Sequence, residues 1–425
     1  MKKLLIVFGL LLSCPFIHGQ INHLSIEECQ EMAQKNYPLI KQYNLIESLK
    51  DFNISNANKG YLPQLSLSAK ASYQSDVTEL PVKIPGLDIE GMRKDQYQAV
   101  LELNQTVWDG GNIHAQKEIT RASSEVERQK LDVDMYAINE RVNQLFFGIL
   151  LLEAQLQQNE LLQEELQRNY KNVEAYVANG IANQADLDAV KVEQLNTIQK
   201  RDEMTATQRA YCQMLQKMIN SPYPITGKML NQPDAVTLLK QKEPLEINRP
   251  ELYLFSAQNN QYEAQRKMLA AKNLPKLGLF VQGAYGNPGL NMLKNEFTPY
   301  YIAGVRLSWN FGNLYTRKNE SRQIALNQNS VDVQKETFLF NTNLQITQTN
   351  NEIDKVIKLM KHDEEIIALR NNIRKAAQAK VANGTLTVTE MLREITAEDV
   401  AKQNKSLHEV QLLMAIYDLK NTTNQ

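Results

Sequence analysis

Apolar and polar residues alternate one by one in two parts of the chain, at about 62–107 and 274–310. In the first part the alternation runs from Leu65 to Tyr73 and starts again at Tyr97, after a polar loop. A period of two gives a strand one apolar and one polar face. The sequence therefore predicts two strand hairpins, each with one face suited to an apolar environment.

Longer stretches follow each hairpin and space their apolar residues three and four apart, as in the seam of a coiled coil. Each stretch contains the tetrapeptide Val-Ala-Asn-Gly, which ends at Gly180 in the first and at Gly384 in the second. Glycine closes a helix at low cost because it readily adopts the left-handed conformation. We therefore expect two long helical hairpins, with bends near 179–185 and 383–389.

The first helical hairpin is predicted over about 112–220 and the second over about 313–420. No proline occurs between 113 and 177. At ~1.5 Å per residue, an unbroken helix of that length would form a rod of roughly 100 Å.

The turn from strand to helix is also repeated. Trp108 and Trp309, the two tryptophans of the chain, precede turns that contain Gly111 and Gly312 at equivalent positions. Asn112, directly after the first turn, is a residue type suited to cap a helix. Each turn is therefore expected to end a strand hairpin and to begin a long helix.

The chain is internally duplicated, because the two bend glycines lie 204 residues apart (384 minus 180) and the two tryptophans 201 (309 minus 108). Residues 20–220 form the first predicted repeat, 221–248 a linker with Gly227, Pro233 and Pro244, and 249–425 the second repeat. Each repeat has a helix, a strand hairpin and a helical hairpin in that order. The predicted fold class is mainly α with a smaller β part.

The N-terminus has the pattern of a secretory signal peptide. Lys2 and its basic neighbour precede an apolar run from Leu4 to Leu12, and the polar residues that follow favour cleavage after Gly19. The signal is thus assigned to 1–19. The alternative is a lipoprotein signal in which Cys14 is lipidated.

Composition and charge exclude several classes of protein. The 47 basic and 48 acidic residues nearly balance, so nothing indicates nucleic-acid binding. The five histidines are scattered, and neither a catalytic motif nor a phosphate-binding loop occurs, so an enzyme is not expected. Cys29 and Cys212, the cysteines beyond the signal, lack metal-ligand spacing, and a bond between them stays open. We expect no cofactor and no metal site.

A membrane protein of this sequence would cross the bilayer as strands, because the longest apolar run after the signal, Leu145 to Leu152, is too short for a membrane helix. Four strands are too few to close a barrel, so several copies would pool them. Lys70, Glu102 and Arg306, on the polar faces, would then line a water-filled lumen. Aromatic residues near the strand ends would form a girdle: Tyr61, Tyr73, Tyr97, Trp108, Tyr285, Tyr300 and Trp309.

The order of elements, given twice, resembles the TolC family of outer-membrane efflux proteins over essentially the whole mature chain. The segment from Thr106 to Gly111 is similar to that family's strand-to-helix turn, and the segments around Gly180 and Gly384 to its hairpin tips. The resemblance implies a homotrimer with a twelve-stranded transmembrane β-barrel and a periplasmic α-barrel. It implies an outer-membrane channel that extends into the periplasm.

The same resemblance implies function and partners. Such a channel would be the passive exit duct of a tripartite efflux or type I secretion system, held in outer-membrane lipid. A periplasmic adaptor would dock at the hairpin tips and connect the duct to an inner-membrane pump. The alternative is a secreted periplasmic coiled-coil structural or adaptor protein without a membrane barrel.

The family's tips carry an acid six residues after the glycine, which corresponds to Asp186 and Glu390. Arg393 stands where closed-gate members have a second acid, and Leu386 where they have a basic residue. The resemblance thus implies one acidic ring, at Glu390, that would bind cations in a trimer. The alternative is that Asp186 and Glu390 are solvated acids favoured at helix N-termini.

Overall fold

A computed structural model describes residues 23–78, 92–240, 246–292 and 294–424 of the chain. The predicted signal peptide 1–19, with Cys14, lies outside the described residues. The helices are α1 (Ile26–Asn36), α2 (Lys41–Asn58), α3 (Asn112–Tyr136), α4 (Ile138–Ala178), α5 (Gln184–Ile219), α6 (Ala235–Lys240), α7 (Pro250–Lys272), α8 (Asn313–Ala382) and α9 (Val388–Thr423). The strands are β1 (Gln64–Tyr73), β2 (Asp95–Trp108), β3 (Lys276–Asn287) and β4 (Thr298–Ser308).

The chain divides into two compact units, and each unit takes segments from both sequence repeats. The hairpin unit consists of Met1–Ile40, Asp134–Arg249 and Phe340–Gln425. The sheet unit consists of Lys41–Val133 and Pro250–Leu339. The compact units therefore do not coincide with the sequence repeats.

In the sheet unit the four strands form one antiparallel sheet in chain order, so β1 and β4 are its two edges. The register pairs Ser66 with Glu102, and Glu102 with Gln282, across three strands. Directly opposite residues share a face of the sheet, so the polar positions of neighbouring strands coincide. The four predicted strands and their apolar and polar faces are confirmed.

A β-bulge in β2 shifts the register once. Thr106 pairs with Gly278, but Trp108 pairs with Leu277, so Val107 is an extra residue on its strand. Without the bulge, Trp108 would lie on the polar face. The bulge places it with Leu277 on the apolar face, which strict alternation of the sequence does not predict.

The helices of the sheet unit are ordered like its strands. Side-chain hydrogen bonds join α2 to α3, α3 to α7 and α7 to α8, through Tyr43 with Asp132, Gln261 with Ser123 (2.8 Å) and Asn259 with Asp332 (2.9 Å). The order α2, α3, α7, α8 therefore matches β1, β2, β3, β4, because only a few residues connect each helix to the strand it precedes or follows. As in the sheet, the first and last members, α2 and α8, are the edges.

The rod predicted between 113 and 177 is interrupted. Helix α3 ends at Tyr136 and α4 begins at Ile138, with Ala137 in a turn between them. Its counterpart α8 continues over 70 residues. From the break onward, buried positions of α4 recur 204 residues later in α8, namely Ile138 and Thr342, Val142 and Ile346, Leu145 and Thr349, and Ile149 and Ile353.

The hairpin unit is built on α4, α5, α8 and α9, with α1 packed against α4 and α5. Its largest fully buried side chains include Phe146 and Phe147. Cys29 and Cys212 are both buried and both free thiols. Burial raises the pKa of Cys29 to about 12, so this thiol stays protonated at neutral pH. In the described part of the chain, no helix combines the length and the apolar character needed to cross a membrane.

Candidate functional site

Both helical hairpins bend at their Val-Ala-Asn-Gly segments, and the two bends have the same backbone geometry. Gly180 and Gly384 have φ angles of +73° and +68°, in the left-handed region. The N–H of Ile181 donates to the carbonyl of Tyr176 at 2.8 Å, and the equivalent bond from Thr385 measures 2.9 Å. These bonds satisfy carbonyls at the helix end and stop the helix. A Cβ at either glycine would meet no other atom within 4 Å, so only the backbone angle requires glycine.

Each return helix starts with a capping box formed by the predicted acid. The Asp186 carboxylate accepts from the N–H of Asn183 at 3.1 Å, and the Asn183 side chain accepts from the N–H of Asp186 at 3.0 Å. Glu390 and Thr387 make the same reciprocal pair at 3.1 and 3.2 Å. Two backbone donors that a helix start leaves unsatisfied are thereby paired. The structure thus gives both acids a role in helix capping.

Glu390 is an exposed carboxylate whose charged form is favoured. Hydrogen bonds from the N–H and hydroxyl of Thr387, and then the positive charge of Arg393, lower its pKa below the ordinary value. Arg393 is itself exposed and lies one helical turn further along α9. The bend of the second hairpin therefore carries adjacent negative and positive groups.

The two hairpin ends share one apolar core, which brings the two bends into one structure. Its buried members come from all four long helices, and they are Leu166, Val173, Leu187, Val190, Ala377, Val381, Val388, Met391, Leu392 and Ile395. Leu386, where the family resemblance implies a basic residue, packs against this core. Its apolar side chain therefore stabilises the end of the hairpin pair.

Four charged side chains and one glutamine form a cluster that joins α4, α8 and α9. This cluster was not predicted from the sequence. Arg374 of α8 donates to Glu165 of α4 at 3.0 Å and also pairs with Glu398 of α9. Glu398 is 4% exposed and accepts a second ion pair from Lys402 at 2.8 Å. Gln378 donates to Glu165 at 2.6 Å. We call Arg374, Glu165, Glu398, Gln378 and Lys402 the charged cluster.

Glu165 is ionised within this cluster despite its partial burial. Burial raises its pKa, but hydrogen bonds from Arg168 and Gln378 and the charge of Arg374 outweigh burial, and the net pKa is lowered. The carboxylate therefore remains available to pair with Arg374 at neutral pH.

Two Arg–Glu pairs within the second hairpin have no charged counterpart in the first hairpin. Arg370 pairs with Glu394 across the second bend at 3.3 Å, as Arg374 does with Glu398. The positions 204 residues before Arg370 and Glu394 are Leu166 and Val190. The positions 204 residues before Arg374 and Glu398 are Tyr170 and Gln194. The arginine and the glutamate of each pair are 24 residues apart and lie on opposite sides of Gly384. This spacing around the bend is the sequence signal from which the pairs could have been predicted.

The sheet brings together two of the three predicted lumen residues. Arg306 and Glu102 lie on the same face with 3.3 Å between Nη1 and Oε1, and Gln282 donates to Glu102 at 3.2 Å. The guanidinium of Arg306 also lies 4.7 Å from the ring centre of Phe280. Lys70 is on the same face but makes no ion pair with any described residue.

The opposite face of the sheet is apolar and exposed in the single chain. Leu67 is 76% exposed and Tyr301 78%, and the leucines and valines of the other strands are also accessible. Of the predicted girdle, Tyr300 is wrongly placed, because its strand register puts it on the polar face, where its hydroxyl bonds to Gln98. Trp108 lies on the apolar face, and Trp309 directly follows β4 and donates to the carbonyl of Asn273 at 3.1 Å.

The strand-to-helix turns contain the predicted glycines but differ in their caps. Gly111 has a φ of +82°, and its N–H donates to the buried carboxylate of Asp109 at 2.9 Å. Asp109 also accepts from the N–H of Ile113 at 2.6 Å, so it caps α3 in place of the predicted Asn112. In the second turn, the N–H of Gly312 donates to Asn310 at 3.0 Å. Asp109 could have been found from the sequence as a preferred capping residue.

No group of three or more metal-ligating side chains occurs among the residues that the structure describes. Among the described residues, His408 is the one histidine that pairs with a carboxylate, and its Nδ1 lies 2.8 Å from Oδ2 of Asp363. The candidate functional features of the described residues are therefore the two helix bends, the charged cluster and the sheet with one apolar and one polar face.

A model of one protein family matches the first repeat of the chain. Residues 31–220 match the family model described as outer membrane efflux protein. No curated protein is a significant match to this chain.

Solved structures match the fold over nearly the whole chain. A structure of CusC, from a study of folding and transmembrane channel formation, has 14% identity and a TM-score of 0.67, covering 94% of this chain and 91% of that one. The Campylobacter jejuni CmeC outer membrane channel has 12% identity and a TM-score of 0.64, covering 94% and 85%. The open state of the Neisseria gonorrhoeae MtrE outer membrane channel has 12% identity and a TM-score of 0.63, covering 94% of this chain and 88% of that one.

The matched family model and these structures describe efflux proteins and channels and not enzymes, and the expectation that the chain is not an enzyme is confirmed. The first repeat therefore matches the outer membrane efflux protein family model, and the chain as a whole has the fold of these solved structures.

Proposed function

We propose that three copies of this chain form an outer-membrane exit duct that extends into the periplasm. The observation that carries the proposal is the sheet, with one exposed apolar face, one polar face and two free edges. An open edge is not tolerated in lipid, so a membrane sheet must close on itself. Three sheets of four strands would give a closed barrel of twelve.

The spacing of aromatic residues on the apolar face supports this placement. Tyr97 pairs with Asn287 and Trp108 with Leu277, so these two aromatic side chains lie ten paired positions apart. At ~3.3 Å per residue and a strand tilt of ~40°, that separation spans roughly 25 Å along the membrane normal, the height of the apolar band of such barrels.

The hairpin bends are the proposed periplasmic mouth. In a trimer, three copies of Glu390 would form a ring of carboxylates, ionised because of the lowered pKa. Such a ring attracts cations and repels anions. Arg393 beside each carboxylate would weaken the field of the ring. The same bends would receive a periplasmic adaptor, through which an inner-membrane pump delivers the substrate of a tripartite efflux or type I secretion system.

The test uses lysine substitutions on the two faces of the sheet. We expect Val281→Lys combined with Ala303→Lys, a cross-strand pair on the apolar face about midway between the levels of Tyr97 and Trp108, to abolish membrane insertion and conductance in planar bilayers. A lysine near the bilayer centre costs about 2–4 kcal/mol on a lipid-facing position. The matched control is Gln282→Lys, at the same level on the polar face of β3, which should still insert and conduct.

The alternative, a secreted coiled-coil protein, makes the opposite prediction. Release of the wild-type protein into the soluble fraction after a high-salt wash, without conductance, would reject the duct. Equal conductance of the apolar-face and polar-face variants would also reject it, because lipid would then not contact the apolar face.

A further inference from the structure

We propose that the polar face of the sheet attracts anionic groups, and that Lys70 and Lys276 favour the passage of solutes that carry a carboxylate or phosphate. This inference rests on the proposed assembly of three copies. It adds to that assembly the charge class of the solute that the barrel favours. The sign of this charge selection is opposite to that of the ring proposed for Glu390.

Basic residues outnumber acidic residues on the polar face of the four described strands. Glu102 is the one acidic residue on this face, because Asp95, the other acid of these strands, pairs with Tyr73 and so lies on the apolar face. The three basic residues on the polar face are Lys70, Lys276 and Arg306. Three positive charges and one negative charge leave two net positive charges for each copy.

The one negative charge of this face is already paired. Nη1 of Arg306 lies 3.3 Å from Oε1 of Glu102, and Gln282 donates to the same carboxylate at 3.2 Å. Lys70 and Lys276, in contrast, make no ion pair with any described residue. Because Arg306 and Glu102 offset each other, the two lysines carry the net charge of the polar face.

The two lysines lie near opposite ends of the sheet. Lys70 pairs with Gln98, which pairs with Gly286, and Lys276 is ten residues away from Gly286 on β3. At ~3.3 Å per residue and a strand tilt of ~40°, ten residues span roughly 25 Å along a barrel. In a trimer, the two lysines of each copy would therefore form two positive rings. Rings of basic side chains are typical of pores that select anions.

The surroundings of Lys276 also offer hydrogen-bond donors to an anionic group. A cavity of about 340 Å³ lies at this end of the polar face. Gly278 contributes no side chain to the cavity, which leaves space between its neighbours. The polar-face side chains that line the cavity are Lys276, Arg306, Ser308, Thr106 and Asn104. Hydroxyl and amide donors beside basic groups are suited to the oxygens of a carboxylate or phosphate.

One carboxylate, that of Asp109, also lines this cavity, but it is bonded to the start of α3. Its Oδ1 accepts from the N–H of Gly111 at 2.9 Å, and its Oδ2 accepts from the N–H of Ile113 at 2.6 Å. These bonds and the positive end of the helix dipole offset its negative charge. The unpaired Lys276 therefore sets the sign of the charge that the cavity presents to a solute.

The width of the proposed barrel gives the size of the effect. Twelve strands about 4.8 Å apart and tilted by ~40° enclose a radius of roughly 12 Å, so the three ammonium groups of one ring would lie roughly 8 Å from the axis. In water at about 0.01 M ionic strength, such a ring enriches a monovalent anion at the axis about sevenfold. The enrichment falls to about threefold at 0.1 M and to about 1.2-fold at 1 M, because salt screens the charges.

The test measures ion selectivity in planar bilayers, from the reversal potential under a tenfold gradient of KCl at low salt. It compares the full-length wild type with two double variants, Lys70→Gln with Lys276→Gln, and Lys70→Arg with Lys276→Arg. We expect the permeability ratio of chloride to potassium to fall at least about threefold in the glutamine variant. The matched arginine variant keeps both charges and should keep the ratio of the wild type. The hairpin bends are identical in the three chains, so the difference reports on the barrel.

A cysteine beside Lys276 provides a local measurement. In a Cys29→Ala, Cys212→Ala background, Ser308→Cys places a thiol directly opposite Lys276 on the neighbouring strand. The rates at which an anionic and a cationic methanethiosulfonate reagent modify this thiol are compared. We expect the ratio of the anionic to the cationic rate to fall at least about twofold when Lys276→Gln is added. This measurement requires the folded sheet but not a conducting channel, so it also applies if the glutamine double variant fails to insert.

The possible failures are distinguishable. A conducting channel whose selectivity is equal in the wild type and the glutamine variant at low salt would overturn the inference and leave the proposed duct intact. So would a difference that persists undiminished at about 1 M salt, since screening should remove it. Loss of the preference in the arginine variant would overturn it too, because charge would then not be its cause. A wild-type chain that never conducts would overturn both the inference and the proposed function.

Discussion

The charged cluster makes a quantitative prediction for Arg374→Met. This change keeps the bulk of the side chain and removes the cation that Glu165 and Glu398 share. Removing one partner from a buried ion pair costs about 3–5 kcal/mol, because the other charge stays buried and unpaired. Here Glu398 keeps Lys402 and Glu165 keeps Arg168, both at 2.8 Å. We therefore expect the loss to be smaller, about 2–3 kcal/mol of local unfolding free energy.

The measurement is native-state hydrogen exchange at the amides of α9 around Glu398, followed by mass spectrometry. The matched control is Arg168→Met, which also removes a cation from Glu165 but at a side chain that is 63% exposed. An exposed pair of this kind contributes less than about 1 kcal/mol. A double variant, Arg374→Tyr with Glu398→Gln, copies the first hairpin and should recover part of the protection, since it leaves no unpaired charge at these two sites.

The reasoning would be refuted if Arg374→Met changed exchange no more than Arg168→Met does. It would also be refuted if the double variant were less protected than Arg374→Met alone. In either case the burial of Glu398 would not require a cation from α8.

Two further predictions concern a turn and a titration. Gly110→Ala should lower the melting temperature more than Gly111→Ala. Both glycines have a positive φ, +71° for Gly110 and +82° for Gly111. A Cβ at Gly110 would also lie 2.8 Å from Cβ of Leu274, whereas a Cβ at Gly111 would meet no atom within 4 Å. The shared backbone strain is about 1–2 kcal/mol, the crowding adds about 1–3 kcal/mol, and equal melting temperatures would contradict the described packing of the turn. Glu390→Gln should remove a pH dependence of stability. Because the folded pKa of Glu390 is lowered, its contribution is present above the ordinary value of 4.5 and is lost as the pH falls through the folded pKa. The difference between wild type and variant, followed by thermal unfolding, should therefore shrink from pH 6 toward pH 3, and a constant difference would show that the capping box does not depend on the charge.

The sheet was predictable from the sequence because each strand has its own period of two, and a hairpin pairs strands that are close in the chain. The bulge at Val107 was not, because one extra residue changes the face of Trp108 without changing the residue types around it. Tyr300 was misplaced for a related reason, since two adjacent tyrosines occupy opposite faces and only the register decides between them.

The bends were predictable from glycine and from local spacing. Asn183 with Asp186, and Thr387 with Glu390, are three residues apart, so the capping boxes can be read within one turn of helix. The charged cluster depends on three helices that meet far apart in the sequence, with 209 residues between Glu165 and Arg374. Helix periodicity predicts on which face of its helix a residue lies, but it does not predict which residue of a neighbouring helix it contacts. The charged cluster could therefore be found only from the tertiary structure.

The break at Ala137 limits how parts of the two repeats can be exchanged. From Gly111 to Gly180 the chain advances 69 residues, but from Gly312 to Gly384 it advances 72. Three residues of helix correspond to about 4.5 Å of rise and a rotation of about 300°. A graft that crosses the break, copied from one repeat into the other, would turn every following side chain by about 60° away from its packing partner. Chimeras should therefore exchange segments that lie wholly before or wholly after the break.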